Sequence, residues 1–319
     1  MASKFPPQVR PPTDDGVMLQ NVVRTLLTNG YAIDSFDRPA PHSFMMLLRK
    51  REVLGAEAKM AILFTATIST AIVDRVMTEA NRAGGSPVVI FNGDPPSLPK
   101  GVYGHSLADF FAFLGGEVHT DRIFCAGLQA IMTELGHNRL PAGLKGKPDD
   151  LLEAYSADAL QFLLECPVRR FGQERRFEPL PDGLVLGRDQ LNIHIDAKAY
   201  EAEFHPSADD IRRFGSYVRD FNSRYEHFVG RISLFLVVSG SFSQDDAAIK
   251  AKTNDLLTEC ATPLVLLRAG DLGAAVERIR AMPHLRAAVN WRRIFVPDIV
   301  DLKRLDDELT RIRHDSIIP

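Results

Sequence analysis

Long hydrophobic runs and closely spaced cysteines are both missing from this sequence of 319 residues. No run approaches the ~20 apolar residues that a membrane-spanning helix needs, so we expect no membrane span. The polar, proline-rich residues 1–15 lack the apolar stretch of a signal peptide and predict a flexible tail. The three cysteines are not spaced as zinc ligands, and they favour a reducing cytoplasm over a disulfide-stabilised protein: Cys125, Cys166 and Cys260.

An excess of positive charge is also absent. The net charge is -3 and the pI is near 6.3, so the chain as a whole does not attract nucleic acid. A polyanionic partner would have to be held by a local basic patch or by metal ions. The first half has no glycine-rich phosphate loop, which argues against a nucleotide-binding Rossmann domain.

The remaining composition, 45% hydrophobic and 25% charged, is that of a globular protein with room for two domains. Residues 16–140 show the order α-β-β-β-α-β, which predicts a small α/β domain. This order resembles a nuclease-like core without catalytic residues, so we expect a recognition or targeting role. Residues 138–150 are rich in proline, glycine and charge and predict a linker. The second domain is then expected over residues 150–319.

The segment from Pro181 to Tyr200 predicts a hairpin whose second strand has one apolar and one polar face. Side chains alternate between the faces of a strand. The apolar face carries Leu191, Ile193, Ile195 and Ala197, and the polar face carries Asn192, His194, Asp196 and Lys198. The hairpin brings Asp182 of the Pro-Asp-Gly turn towards Asp196. Two converging carboxylates suit Mg²⁺, and a lysine beside the ion can position water and stabilise developing negative charge.

The acid-x-Lys triplet is a weak signal by itself, since about one is expected by chance in a chain of this composition. Three occur here, ending at Lys59, Lys198 and Lys303. The first precedes its strand, and the last lies in a charged, helix-like segment. Only the middle triplet combines a strand, a hairpin and an upstream Pro-Asp, so the context selects Asp196 and Lys198.

The C-terminal half resembles the PD-(D/E)xK nuclease superfamily, and in particular the FokI-type cleavage domain, over about residues 150–280. The resemblance follows the order "PDG", "IDAKAY", a helix with "YV", "FLVVSGSF" and "TPLVLL". It implies a restriction-endonuclease-like mixed sheet flanked by helices, preceded by a separate smaller α/β domain. It also implies that Asp182, Asp196 and the carbonyl of Ala197 bind Mg²⁺, or Mn²⁺ as a substitute, and that Lys198 is catalytic.

Further polar residues are accessory candidates. Glu165, Glu174 and His194 are candidates for the metal shell or for contact with water. Glu153 could also add a carboxylate to the metal shell, but a solvated helix face is the favoured interpretation for both Glu153 and Glu165. A basic cluster would neutralise DNA phosphates, or would form a solvated loop: Arg169, Arg170, Arg175 and Arg176.

The predicted function is a Mg²⁺-dependent DNA endonuclease of restriction or anti-phage defence. A duplex has two strands of opposite polarity, so we expect a homodimer that pairs through the helix at 207–225, with Asp209 and Asp210 meeting Arg212 and Arg213 of the partner copy. Two alternatives stay open: a nuclease acting on RNA or on branched or single-stranded DNA, and a non-catalytic DNA-binding subunit.

Overall fold

The chain divides into two compact units, residues 1–117 and 118–319. The computed structural model describes residues 13–51, 57–65, 69–91, 98–107, 110, 121–166, 168–172, 180–187, 190–243 and 245–315.

The first unit is a five-stranded mixed sheet with helices. Its elements are α1 (Thr13–Thr28), β1 (Tyr31–Ala40), β2 (Ser43–Arg51), β3 (Glu57–Thr65), α2 (Thr70–Ala83), β4 (Ser86–Phe91) and β5 (Tyr103–Ser106). The strands lie in the order of the sequence. The first three are antiparallel, and β4 and β5 are parallel to β3.

Helix α2 shows how local sequence sets the elements of this unit. The side chain of Ser69 accepts a hydrogen bond from the Ile72 amide at its start, and Gly84 ends it with a φ of 68°. Val76 and Ala80 face the sheet, where they pack with Leu63 in an apolar cluster. The fold therefore follows from the capping residues and the apolar stripe that the sequence displays.

The second unit is built on a six-stranded mixed sheet. Its helices are α3 (Leu128–Gly136), α4 (Pro148–Leu164), α5 (Ala208–Val229), α6 (Asp246–Cys260), α7 (Ala269–Ala281), α8 (Trp291–Ile294) and α9 (Lys303–Asp315). Its strands are β6 (Val168–Arg170), β7 (Gly183–Leu186), β8 (Asn192–Lys198), β9 (Leu234–Ser239), β10 (Leu264–Arg268) and β11 (Asp298–Ile299). Short 3₁₀-helices lie at Asp121–Phe124 and Pro283–Ala288.

The sheet of this unit has the order β11-β10-β9-β8-β7-β6. Strands β6, β7 and β8 are antiparallel, whereas β8 to β11 are parallel. All residues of β9 are buried, as expected for a central parallel strand covered by helices. The predicted fold class, a helix-flanked mixed sheet preceded by a smaller α/β unit, is confirmed.

The helices of the described segments include none that is both long and apolar enough to cross a membrane. The longest of them, α5, has 22 residues, and its exposed side carries charged side chains.

The two units share one order of elements. In each, a helix precedes three antiparallel strands, and a further helix leads to a strand parallel to the third. The helix α1 and strands β1 to β4 thus correspond to α4 and β6 to β9. The sequence pattern predicted this order for the first unit.

The boundary between the units differs from the predicted linker at 138–150. Helix α3 belongs to the second unit, where Leu128 and Met132 are fully buried in its core. The guanidinium of Arg280 donates to the carbonyls of Ile123, at 2.8 Å, and Cys125, at 3.2 Å, which fastens the chain before α3 to α7. The proline- and glycine-rich residues between α3 and α4 are therefore a surface loop within one unit.

Candidate active site

The polar face of β8 is present as predicted, but helix α5 covers its first half. Asn192 donates from its side-chain amide to the carbonyls of Val229, at 2.9 Å, and Arg231, at 3.0 Å. His194 is 2% exposed and packs edge-on against the rings of Phe221 and Phe235. Only the end of the strand therefore remains open.

Asp182, Asp196 and Lys198 converge at this open end of β8. Asp182 precedes β7, and its Oδ2 accepts a hydrogen bond of 2.7 Å from the amide of Ala197. The Lys198 Nζ lies 2.6 Å from Asp196 Oδ2, and the two side chains are 19% and 5% exposed. The hairpin thus places both carboxylates and the lysine side by side.

The electrostatics of these groups follow from burial. Burial raises the pKa of Asp182 well above its usual range, and the charges of Asp196 and Glu153 raise it further. Burial disfavours the charged form of Lys198, but Asp196 and Asp182 outweigh this effect and raise the pKa of the ammonium group. The lysine is therefore positively charged at neutral pH. A cation close to Asp182 would stabilise the ionised form of its carboxyl group.

Glu153 is a third carboxylate at this site, and sequence reasoning favoured a solvated position for it. Burial raises its pKa to about 7, against the opposing charge of Arg170, whose Nη2 lies 3.9 Å from Glu153 Oε2. A Cβ on Gly172 would collide with the Glu153 carboxylate, so a larger residue at this position would displace the Glu153 side chain. The sequence feature that could have indicated the burial of Glu153 is its position on α4 between two apolar residues, Leu152 and Ala154, which are buried. We call Glu153, Asp182 and Asp196 the carboxylate cluster.

Other sequence-predicted residues lie elsewhere or are enclosed. Glu165 ends α4 twelve residues after Glu153, about 18 Å along the helix, and accepts bonds of 2.7 and 2.9 Å from Arg286. His194 is enclosed by α5, and burial lowers its pKa to about 3. Arg169 lies with its guanidinium 6.0 Å from the ring centre of Phe171. Three residues lie outside the described part of the chain: Glu174, Arg175 and Arg176.

The donor groups suit a hard divalent cation. The three carboxylates of the cluster outnumber the nearby cations Lys198 and Arg170, and burial makes this excess negative charge unfavourable. Asp196 Oδ2 is buried and, apart from its ion pair with Lys198, has no aligned hydrogen-bond donor. Among the described residues, no three acidic, histidine or cysteine side chains form a ready-made metal cage. An ion here would combine two carboxylates with backbone or water oxygens, as Mg²⁺ does.

This fold and this arrangement of residues define a restriction-endonuclease-like α/β domain. Residues 134–284 match the family model described as the FokI cleavage domain. This part of the chain, from the end of α3 to the turn after α7, is similar to a FokI-type cleavage domain. The 3₁₀-helix at Pro283–Ala288 mostly lies beyond the matched range, as do α8, β11 and α9.

Solved structures of restriction endonuclease FokI are similar to this chain. One shares 17% identity with a TM-score of 0.42, covering 58% of this chain and 34% of that one. FokI bound to DNA shares 16% identity with a TM-score of 0.41, covering 63% and 37%. The chain thus spans about a third of the length of these structures. No curated protein matches the sequence.

Proposed function

We propose that the chain is a Mg²⁺-dependent DNA endonuclease that acts in restriction or anti-phage defence. The observation that carries this proposal is the convergence of Asp182, Asp196 and Lys198 at the open end of β8. The match of residues 134–284 to the FokI cleavage domain supports DNA as the substrate.

The negatively and positively charged side chains of the site have different proposed roles. Asp182, Asp196 and the carbonyl of Ala197 would hold Mg²⁺, and Mn²⁺ as a substitute. Such an ion, when bound, supplies Lewis-acid stabilisation of the phosphate and a more acidic water. Lys198 stays protonated beside Asp196 and donates hydrogen bonds to the negative charge that develops on the phosphate. Arg170 on β6 lies 3.9 Å from Glu153 and offsets part of the negative charge of the carboxylate cluster.

Cleavage assays with matched lysine variants test this function. Purified wild-type protein, Lys198→Ala and Lys303→Ala are incubated with duplex DNA, single-stranded DNA and RNA, in Mg²⁺ or EDTA. Lys303 belongs to another acid-x-Lys triplet and is exposed, so its variant is the control. We expect Mg²⁺-dependent cutting of duplex DNA by the wild type and the control, and none by Lys198→Ala. Preferential cutting of RNA or single strands would assign a different substrate, and no cutting by the wild type would reject the proposal.

The first unit is proposed to serve recognition or targeting, without cleavage of its own. It has the same order of elements as the second unit, so their strand pairings can be compared position by position. The first residue of β4 pairs with Met60, and the first residue of β9 pairs with Ile193. Counting onward, Leu63 stands in the place of Asp196, and Thr65 in that of Lys198. Leu63 is fully buried in an apolar cluster and Thr65 bonds to the Ser43 hydroxyl, which supports a unit without a metal site.

Cleavage of both strands is proposed to require a homodimer, because a single centre per chain cannot meet two strands of opposite polarity at once. The charged residues of the proposed face on α5 pair within the helix: Asp209 with Arg212, and Asp210 with Arg213 at 2.7 Å. The exposed pair of Asp209 and Arg212 contributes little by itself and can exchange partners between two copies at small energetic cost. Asp210 is partly buried and also accepts hydrogen bonds from Ser207 at the start of α5, so its exchange would cost more.

The dependence of the rate on protein concentration tests the dimer. The rate of double-strand cleavage should rise more than linearly while dimers are scarce. Arg212→Glu with Arg213→Glu should cut poorly, and mixing with Asp209→Arg and Asp210→Arg should restore part of the rate. A strictly linear dependence over a wide dilution series, with both strands cut, would exclude assembly during the reaction.

A further inference from the structure

Helix α5 lies over β8 and β9 in a way that brings one tyrosine towards the carboxylate cluster. Since β8 and β9 are parallel and α5 connects them, α5 runs antiparallel to both. The ring of Phe221 lies 5.4 Å from that of His194. Tyr217 is one turn before Phe221 on the helix, and Asp196 is two residues after His194 on the same face of the strand. The four residues from Phe221 back to Tyr217 advance about 6 Å along the helix, and the two residues from His194 to Asp196 advance about 6 Å along the strand in the same direction. Tyr217 is therefore placed opposite Asp196.

The electrostatic surroundings of Tyr217 agree with this position. Burial raises the pKa of its phenol, and the charges of Arg213, Asp196, Asp182 and Lys198 also act on it. Tyr217 is half-buried, and none of the described residues accepts a hydrogen bond from its hydroxyl. The phenol is thus a neutral donor with no acceptor among the described residues, and it lies within electrostatic range of the groups that would hold a phosphate.

We propose that Tyr217 contacts the substrate, and that its hydroxyl donates a hydrogen bond to a non-bridging oxygen of the scissile phosphate. This inference rests on the proposed nuclease function. The phosphate would then be held from two sides, by Lys198 at the end of β8 and by Tyr217 from α5. A neutral donor suits this place, because a second full positive charge would compete with a metal ion for the carboxylates. As negative charge grows on the phosphate in the transition state, such a hydrogen bond becomes stronger.

Removal of a single hydroxyl tests the contact. The full chain is prepared as wild type, Tyr217→Phe and Tyr225→Phe, which removes a phenol from the same helix two turns further on. Single-turnover cleavage of a DNA duplex is measured in Mg²⁺, duplex binding is measured in EDTA, and thermal unfolding is followed without DNA. We expect Tyr217→Phe to cleave about 10- to 100-fold more slowly, with DNA affinity and melting temperature close to wild type. Tyr225→Phe should cleave at the wild-type rate.

Each outcome decides between the possibilities. Cleavage by Tyr217→Phe at the wild-type rate overturns the contact and leaves the nuclease function standing. A slower rate that is accompanied by a lower melting temperature, or by weaker DNA binding large enough to account for it, also overturns the contact. Tyr217 would then act through the stability of the fold or through binding of the DNA before the reaction. Absence of Mg²⁺-dependent cleavage by the wild type rejects the nuclease function, and this inference with it.

Discussion

Asp182 occupies a position that is unfavourable for folding and favourable for binding a cation. Its carboxylate is buried beside Asp196 and Glu153, so its pKa is raised in the folded state. The folded protein therefore binds this proton more tightly than the unfolded chain does, and stability falls as the pH rises through the folded-state pKa. A carboxylate retained in this place at neutral pH is expected of a binding site more than of a structural core.

The substitution Asp182→Asn should separate these two roles. We expect cleavage to be lost, whereas the free energy of unfolding at pH 8 without metal should rise, because the buried charge is removed. The amide oxygen of asparagine can still accept the hydrogen bond from Ala197. Urea unfolding from pH 5 to 8 measures the effect, with exposed Asp301→Asn as the control. An Asp182→Asn protein less stable than wild type at pH 8 would contradict this account.

His194 should make the stability of the second unit fall in mild acid. Burial lowers its pKa to about 3, whereas an unfolded histidine titrates near 6.5, so below that pH the unfolded chain binds more protons. Stability is therefore lost as the pH falls from about 6.5 towards 3. Between pH 7 and pH 5 the contribution of His194 is about 2 kcal/mol.

The matched variants are His194→Leu and His284→Leu, of which the second alters an exposed histidine. Chemical unfolding at pH 7 and pH 5 gives the change in stability for each protein. His194→Leu should lose about 2 kcal/mol less than wild type over this interval, and His284→Leu should behave like wild type. Equal losses in all three proteins would show that His194 is protonated readily in the folded state.

The residues of the site were predictable where they depend on neighbours in the sequence, and not where they depend on packing between distant elements. Alternation along β8 and the Pro-Asp-Gly turn are local signals, and they predicted the convergence of Asp182, Asp196 and Lys198. The approach of Glu153 depends on how α4 packs across the sheet, which no local pattern encodes. The enclosure of His194 likewise depends on α5, which follows β8 only after a loop. The catalytic and metal-binding roles of these residues stay predictions.

At the scale of elements, helix α3 supports the end of β8. The carbonyl of Gly136 accepts hydrogen bonds from the amides of Tyr200, at 3.0 Å, and Gly240, at 3.2 Å. A Cβ on Gly136 would lie 2.6 Å from the Cα of Gly240, which is too close for any side chain. The end of α3 thus touches the chain just after Lys198 and just after β9.

Gly136→Ala should therefore destabilise the second unit and also slow cleavage. We expect a loss of about 1–3 kcal/mol, because backbone atoms must move apart to admit the methyl group. Movement of the segment after Lys198 by a fraction of an ångström should lower the rate further, since catalysis depends on position. Gln129→Ala, at an exposed site on α3, is the control. Unfolding and single-turnover rates test both effects, and a fully active Gly136→Ala protein would contradict the supporting role.

The sequence predicted the helices and strands better than it predicted which of them belong to each unit. The proline- and glycine-rich residues 138–147 have the composition of a linker, but a surface loop within a unit has the same composition. Only the burial of α3 against α7 decides between them. Strand β11 has two residues, Asp298 and Ile299, and its pairing with β10 leaves no periodic pattern in the sequence.

At the scale of the whole molecule, the position of the boundary predicts which fragment is a folding unit. A fragment of residues 118–319 retains α3 and the carbonyls that Arg280 binds, whereas a fragment of residues 150–319 lacks both. The shorter fragment would also uncover the core around three fully buried residues, Leu128, Met132 and Leu135. Their burial represents on the order of 6 kcal/mol of transfer free energy, comparable with the whole stability of a domain.

We therefore expect residues 118–319 to unfold cooperatively and to retain Mg²⁺-dependent cleavage of DNA, even if sequence preference is lost with the first unit. Residues 150–319 should be insoluble or unfold at a much lower temperature. Circular dichroism during heating, together with a plasmid cleavage assay, compares the two fragments with the full chain. Limited proteolysis of the full chain gives an independent measure, since a linker is cut before a packed unit. If residues 150–319 fold and cleave as well as residues 118–319, then α3 is dispensable and the boundary lies at the loop that composition suggested.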